Sequence, residues 1–408
     1  MAHIGFFNIP GFGHVNTTTG LVAELVARGH RVSYAVPESH GAEVRRAGAE
    51  LIPYETGMTD PGSTMTATAD PDRFTTVDFV HNLRGVLRET RSVVPVVEAA
   101  FTRDTPDLVL YDGVLGWSGR IAADRLGIPA VRCLPTMAAN EHWSLAAGGY
   151  AVFDVDDPEL TAVFRDIGEL FTALGVEHLG EEFFGNAGPG AATLVFVPRA
   201  FQPAAGTFAD TVHFVGPCAA ERAFDGRWTP PADGRLLVLV SLGTLQNDQP
   251  GFFRDCVDAF RDAPWNVVLA VGHRIDRAAL GPVPPHVEVV PHVPLQQVLR
   301  HADAFVTHAG MGSLMEALTA GVPVVAVPQM GEQRANADRL LELGLGSLLR
   351  RPEVTAATLR TAVADLLADP AVRERARAMR RGIQEADGPR TAADLVEAQL
   401  RPEQPAVR

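Results

Sequence analysis

Phe305-Val-Thr-His308-Ala-Gly310-Met-Gly312-Ser313-Leu-Met-Glu316-Ala-Leu-Thr-Ala-Gly321-Val-Pro323-Val-Val-Ala-Val-Pro328 reads as strand, tight turn, helix, turn, strand. Ala304 to Thr307 is a short apolar strand with His308 at its carboxyl end. Gly310 and Gly312 are expected to let the backbone turn where a side chain at positive φ would clash. Leu314 and Leu318 open an amphipathic helix, and Gly321 with Pro323 just beyond closes it. A glycine turn feeding a helix amino terminus aims several unpaired backbone N–H groups one way, which suits a phosphate or diphosphate. His308 adds a donor beside that turn. Glu316 lies about one helical turn inside, where a carboxylate can take both hydroxyls of a ribose. An ordinary βαβ unit would account for the glycines alone. His308, Ser313 and Glu316 on one side favour a nucleotide site.

The chain has 408 residues, long for one core, so two domains are expected. Hydrophobic residues make up 46%, enough for two cores and against long disorder. A formal net charge of -14 argues against a nucleic-acid backbone or an anionic membrane as partner. An anionic nucleotide must then be held by local dipoles and a few cations. The 3 cysteines, Cys133, Cys218 and Cys256, are far apart, and no metal spacing or disulfide framework follows from them. A reducing compartment fits, and with no charged leader or long apolar run the expected location is the cytoplasm. The sequence contains no lysine, which excludes a Walker-type phosphate loop and a pyridoxal phosphate Schiff base.

Working outward from the opening stretch, apolar strands alternate with helices along both halves. In the first half the strands are residues 3–8, 31–36, 49–54, 107–111, 130–134, 193–197 and 212–215. Residues 9–16 read as a Pro/Gly-rich loop, followed by a helix over 17–28. Helices are also expected over 39–47, 77–101 and 117–126. Residues 55–73 read as a surface loop, and 136–190 as irregular helix rich in Phe. Residues 216–235, with Pro230-Pro231, glycines and charges, are the clearest linker. Beyond it come strands 236–242, 267–271, 287–290, 304–307 and 324–327. The helices there are 251–261, 295–300, 333–343, 355–367, 371–385 and 392–400. This pattern predicts two facing Rossmann-like α/β domains, 1–215 and 236–408, with parallel sheets and a cleft between them. The last helix is free to pack back on the first domain. Ligands sit at the carboxyl ends of strands in such sheets.

Two strand ends of the first half carry chemistry. Gly11-Phe12-Gly13-His14-Val15-Asn16 follows the first strand, and Asp112 ends the fourth. Parallel strands put both on one edge, so an imidazole oriented by a carboxylate is expected there as a general base. No serine or cysteine nucleophile has a motif beside it, so the base is expected to act on a substrate hydroxyl. Ser241-Leu242-Gly243-Thr244 is a further polar turn able to lend donors to the same diphosphate. The acidic run Asp154, Asp156, Asp157 precedes Pro158 and reads as a helix start, and no metal site is expected. The charge of the leaving group then falls to the helix dipole, Ser313 and His308.

These residues together resemble family 1 glycosyltransferases of the GT-B fold, over essentially the whole chain. Gly13-His14-Val15-Asn16 is similar to their acceptor-side Gly-His motif, and Val293-Pro294 through Gln333 to their nucleotide-sugar signature. The resemblance implies His14 as base with Asp112 as partner, and His308 and Gly310 to Ser313 on the diphosphate. It further implies Glu316 on the ribose, Glu332 and Gln333 on the sugar hydroxyls, and His292 and Val293 at the base pocket. His292 stands where the family commonly has an aromatic residue, Leu295 where Gln is usual, and Thr17 where Pro follows Asn16. The likeness is closest to bacterial macrolide glycosyltransferases, through Phe6–Pro10, Glu24–Val32 and Ala326–Gln329. It implies an inverting, metal-free hexose transfer, UDP-glucose being favoured by Glu316 and by Glu332-Gln333. The acceptor would be an apolar natural product such as a macrolide or flavonoid, shaped by residues 140–184 and 55–73. Transfer of a deoxysugar from a thymidine diphosphate donor is the alternative; a sugar-nucleotide epimerase and a non-catalytic nucleotide-sugar binder are the remote ones. No cofactor beyond the donor, no nucleic acid, no stable membrane insertion, and a monomer or homodimer complete the expectation.

Overall fold

The computed structural model describes residues 1–58, 72–114, 116–184, 192–220, 228–244 and 247–400. Residues 59–71 of the expected acceptor loop, with Met65, and 221–227 of the expected linker lie outside them.

Two parallel sheets organise the chain. The first has seven strands in the spatial order Glu50–Ile52, Arg31–Ala35, His3–Phe7, Leu108–Asp112, Ala130–Leu134, Thr193–Val195, Val212–Phe214. The second has six: Val287–Val290, Asn266–Ala270, Leu237–Ser241, Ala304–Thr307, Val324–Ala326, Gly346–Leu348. Helices cover both faces, so the central strands carry apolar side chains on both sides. Ile4, Phe6, Leu108, Leu110, Val238, Val240, Phe305 and Val306 are all fully buried. In each sheet the first strand lies between the second and the strand at which the order reverses. That reversal falls between His3–Phe7 and Leu108–Asp112 in one sheet, and between Leu237–Ser241 and Ala304–Thr307 in the other. Connections diverge there and open a crevice at the carboxyl edge.

The two halves are joined by apolar packing and by the last helix. One cluster runs unbroken from Leu134, Met137, Val197 and Phe201 to Met311, Leu314, Met315 and Ala335. The helix Gly388–Leu400 inserts Ala392, Ala393 and Val396 into the core of the first sheet, beside Leu21 and Leu25. Arg28 ties it down through Asp394 at 2.6 Å and Glu397 at 3.1 Å.

Three local expectations are corrected, and one strand without an expectation is added. The stretch 9–16 is not a loop throughout, because the first helix spans Phe12–Ala27. Gly13, Asn16 and three threonines are poor helix formers. Their chain is held because Thr17 Oγ1 donates to Gly13 O, and Thr18 and Thr19 bond back to Val15 and Asn16 carbonyls, each at 2.8 Å. The helix expected over 333–343 begins at Gly331, so Glu332 and Gln333 lie in its first turn. The region expected as irregular helix over 136–190, of which 185–190 lie outside the described residues, is only partly helical: turns up to Tyr150 and a short strand Ala151–Val152 precede the helices Pro158–Leu174 and Gly180–Phe184. That short strand pairs in parallel with Phe74–Thr75. Gly346–Leu348, too short to carry a strand pattern, adds the outer strand of the second sheet.

Candidate functional site

The two carboxyl edges face each other, and the closest approach of their first turns is tight. A Cβ on Gly312 would stand 3.8 Å from the Gly13 Cα. The amino terminus of the helix Met311–Ala320 therefore meets the amino terminus of the helix that carries His14.

On the first side, His14 Nδ1 lies 2.5 Å from Asp112 Oδ2. Asp112 is 1% exposed and His14 18% exposed. The second oxygen of Asp112 accepts from Val114 N at 2.8 Å, so the carboxylate is fixed from both ends. Gly116 packs against it so closely that a Cβ would stand 2.9 Å from the Asp112 Cβ. With Nδ1–H donated to a carboxylate, the Nε2 lone pair is the free end of the ring. Burial presses the His14 pKa down, but the Asp112 charge, its hydrogen bond and the charge of Glu332 outweigh that and hold it above the ordinary histidine value. At the His14 backbone, Asn8 Nδ2 donates to His14 O at 3.1 Å and to the Tyr34 hydroxyl at 2.9 Å.

Across the cleft, the turn after Ala304–Thr307 holds the His308 ring between two glycines. A Cβ on Gly243 would stand 2.6 Å from His308 Cε1, and one on Gly310 would collide with His308 Nε2. The neighbouring strands bring these turns together through the Ser241–Thr307 pairing. The expected positive φ at Gly310 and Gly312 is not found. Gly310 has φ -61° and ψ 139°, and the left-handed residue is Ala309, with φ 60°. The glycine at 310 is needed for room beside the imidazole. Burial pushes the His308 pKa down to about 4, so the ring is a neutral donor or acceptor at neutral pH. Ser313 Oγ donates to Gly310 O at 3.1 Å, and Gly243 N donates to Ser241 Oγ at 3.2 Å, so both hydroxyls brace their own turns. Thr244 and His292 are exposed, Val293 is buried in the shared cluster, and Glu316 is half-buried on the helix one turn beyond Ser313.

Glu332 comes from the second half but closes on the first. Its Oε1 accepts from Thr136 Oγ1 at 3.4 Å and from Asn336 Nδ2 at 2.9 Å. Burial raises its pKa, against the lowering effects of Asn336, the His14 charge and Thr136. Gln333 is nearly buried, and its oxygen accepts from Gln329 N at 2.9 Å. Asp157 accepts from Glu159 N and Leu160 N at the head of its helix, as a capping residue does. Among the described residues no three His, Cys, Asp or Glu side chains converge as metal ligands. Thr136 and Asn336 escape a reading of the sequence because each acts through a contact made only in the fold. Ala309 escapes it because alanine carries no signal for a left-handed backbone.

Comparison with known proteins places these features. A family model, the erythromycin biosynthesis protein CIII-like C-terminal domain, matches residues 256–398. The demethyllactenocin mycarosyltransferase of Streptomyces fradiae is 42% identical over 98% of this chain and 87% of its own. The NDP-glycosyltransferase YjiC of Bacillus licheniformis is 39% identical over 98% of each chain. The crystal structure of the kitacinnamycin glycotransferase superposes with a TM-score of 0.86 at 35% identity, covering 98% of this chain and 99% of that one.

Proposed function

This chain belongs to the macrolide and natural-product glycosyltransferases of the GT-B fold, and from that premise we propose an inverting, metal-independent O-glycosyltransferase. Its donor is UDP-glucose, its acceptor a hydroxyl of an apolar natural product such as a macrolide or flavonoid, and its place the cytoplasm. The observation that carries the reading is the 2.5 Å contact of His14 and Asp112, on the edge that faces the His308 turn.

In the proposed reaction His14 Nε2 takes the acceptor hydroxyl proton as that oxygen attacks the anomeric carbon. The bond to the diphosphate breaks on the opposite face, so the configuration inverts and the nucleoside diphosphate leaves with the bonding electrons. Asp112 stabilises the imidazolium and fixes its tautomer. Backbone N–H groups at the head of Met311–Ala320, with neutral His308, Ser313, Ser241, Gly243 and Thr244, take the diphosphate charge. Glu316 holds the ribose, His292 and Val293 flank the base, and Glu332 with Gln333 hold the sugar hydroxyls. A ribose-binding Glu316 favours a uridine donor. The second reading is a thymidine diphosphate deoxysugar as donor; a relative named for mycarosyl and not glucosyl transfer supports a sugar other than glucose.

Mass spectrometry of the protein with UDP-glucose, or with a thymidine diphosphate deoxysugar, and a panel of macrolides and flavonoids in EDTA tests the proposal. A hexose adduct that vanishes in His14→Ala is the expected result. A deoxysugar adduct alone replaces the donor assignment, and full turnover in His14→Ala removes the base.

A further inference from the structure

Asn336 is fully buried on the helix Gly331–Glu342, one turn beyond Glu332 and on the same face. Its Nδ2 donates to Ala309 O at 3.0 Å and to Glu332 Oε1 at 2.9 Å. Both partners accept only, so the amide nitrogen must face them, and the orientation of the side chain follows from its neighbours. Its Oδ1 is buried without a protein partner. Leaving a buried carbonyl unsatisfied is costly, and a leucine of similar volume would avoid it. What the asparagine adds is the pair of bonds made by its nitrogen.

Those bonds join two pieces that the chain separates. Ala309 is held left-handed, a conformation that persists in a residue with a Cβ only where the surroundings impose it. The bond to its own carbonyl fixes the peptide plane between Ala309 and Gly310, one residue beyond His308. The second bond fixes the carboxylate that reaches Thr136 across the cleft. We infer that Asn336 is a positioning residue that locks the His308 turn and the Glu332 carboxylate into one unit, so that the grips on diphosphate and sugar are set together. The inference rests on the proposed donor roles of His308 and Glu332.

The test combines calorimetric titration of UDP and TDP with steady-state kinetics on wild type, Glu332→Gln, Asn336→Leu and the double variant. Asn336→Leu is expected to weaken nucleoside diphosphate binding and to lower kcat, each about tenfold. Glu332→Gln is expected to lower kcat while leaving that binding within about threefold, roughly half of one tenfold step of 1.4 kcal/mol. The double variant should turn over no more slowly than Asn336→Leu, to within about threefold, because its carboxylate is already misplaced. Asn336→Asp keeps the shape and guards against a folding failure in the leucine variant. A protonated aspartic acid serves one of the two acceptors and an ionised one repels both, so its deficit should deepen as pH rises. A deficit independent of pH, losses that multiply in the double variant, or wild-type binding in Asn336→Leu would overturn the inference. A wild type that binds neither UDP nor TDP overturns the donor reading, and the inference with it.

Discussion

Asp112→Asn is the substitution that separates a catalytic imidazole from a structural one. The side chain keeps its size, and Val114 N still needs an acceptor at 2.8 Å. The amide oxygen must take that place, which turns the NH2 group toward His14 Nδ1. His14 must then accept on Nδ1 and carry its proton on Nε2, the nitrogen that has to receive one from the acceptor. The charge-assisted bond that stabilises the imidazolium is lost as well, about 1.5–3 kcal/mol or roughly 10–200-fold. With the tautomer wrong, the whole loss in kcat is expected at about 10²–10⁴-fold. The pH profile gives an independent sign. Wild-type kcat/KM should fall with acid as His14 protonates, with a midpoint above the ordinary histidine value, because Asp112 and Glu332 more than offset burial. In Asp112→Asn burial meets only the Glu332 charge, so the residual activity should titrate at lower pH. Steady-state rates from pH 5 to 9, with nucleoside diphosphate affinity measured beside them, read both effects. A variant within threefold of wild type, or one that loses donor affinity while keeping kcat, would refute the argument.

Two further predictions concern the donor side. With the His308 pKa pushed down to about 4, the ring carries no charge at neutral pH and lends no Coulombic attraction to a diphosphate. Nucleoside diphosphate affinity should therefore stay flat between pH 6 and 8, apart from ionisation of the ligand itself; a histidine-like rise in affinity below pH 7, seen calorimetrically, would contradict that. Gly310→Ala and Gly312→Ala should part company. The first puts a methyl into His308 Nε2 and is expected to weaken donor binding about tenfold or more; the second meets nothing closer than Gly13 Cα at 3.8 Å and should bind within about threefold of wild type. Equal losses in the two would mean that the turn is governed by backbone conformation.

The strand–helix alternation made the two sheets legible, because parallel strands covered on both faces must be apolar runs dominated by Val, Ile, Leu and Phe, as residues 237–240 (Leu-Val-Leu-Val) and 304–306 (Ala-Phe-Val) are. The meeting of His14 with Asp112 was legible for the same reason: strand order alone puts both on one edge. The first turn of the His14 helix was hidden, since its glycine and threonines oppose a helix and are overruled by side-chain bonds to backbone carbonyls. The pairing of Phe74–Thr75 with Ala151–Val152 was hidden too, because two-residue strands have no period to read.

The glycines of the His308 turn show how a correct local expectation can rest on the wrong cause. A Gly-x-Gly run announces a tight turn, and a tight turn is there. The conformational strain, however, sits on Ala309, and glycine is required at 310 by an imidazole that packs where its side chain would be. Steric need set by a neighbour in space leaves the same mark in a sequence as need set by a dihedral angle. Only the folded backbone distinguishes them, and the distinction changes which residue must be defended. The left-handed alanine survives because Asn336 holds its carbonyl from a helix 27 positions later, through the same nitrogen that holds Glu332. The donor side of the cleft is thus built from contacts between strand ends and a helix that no local motif contains, whereas its acceptor side rests on one pair that the strand order already implies.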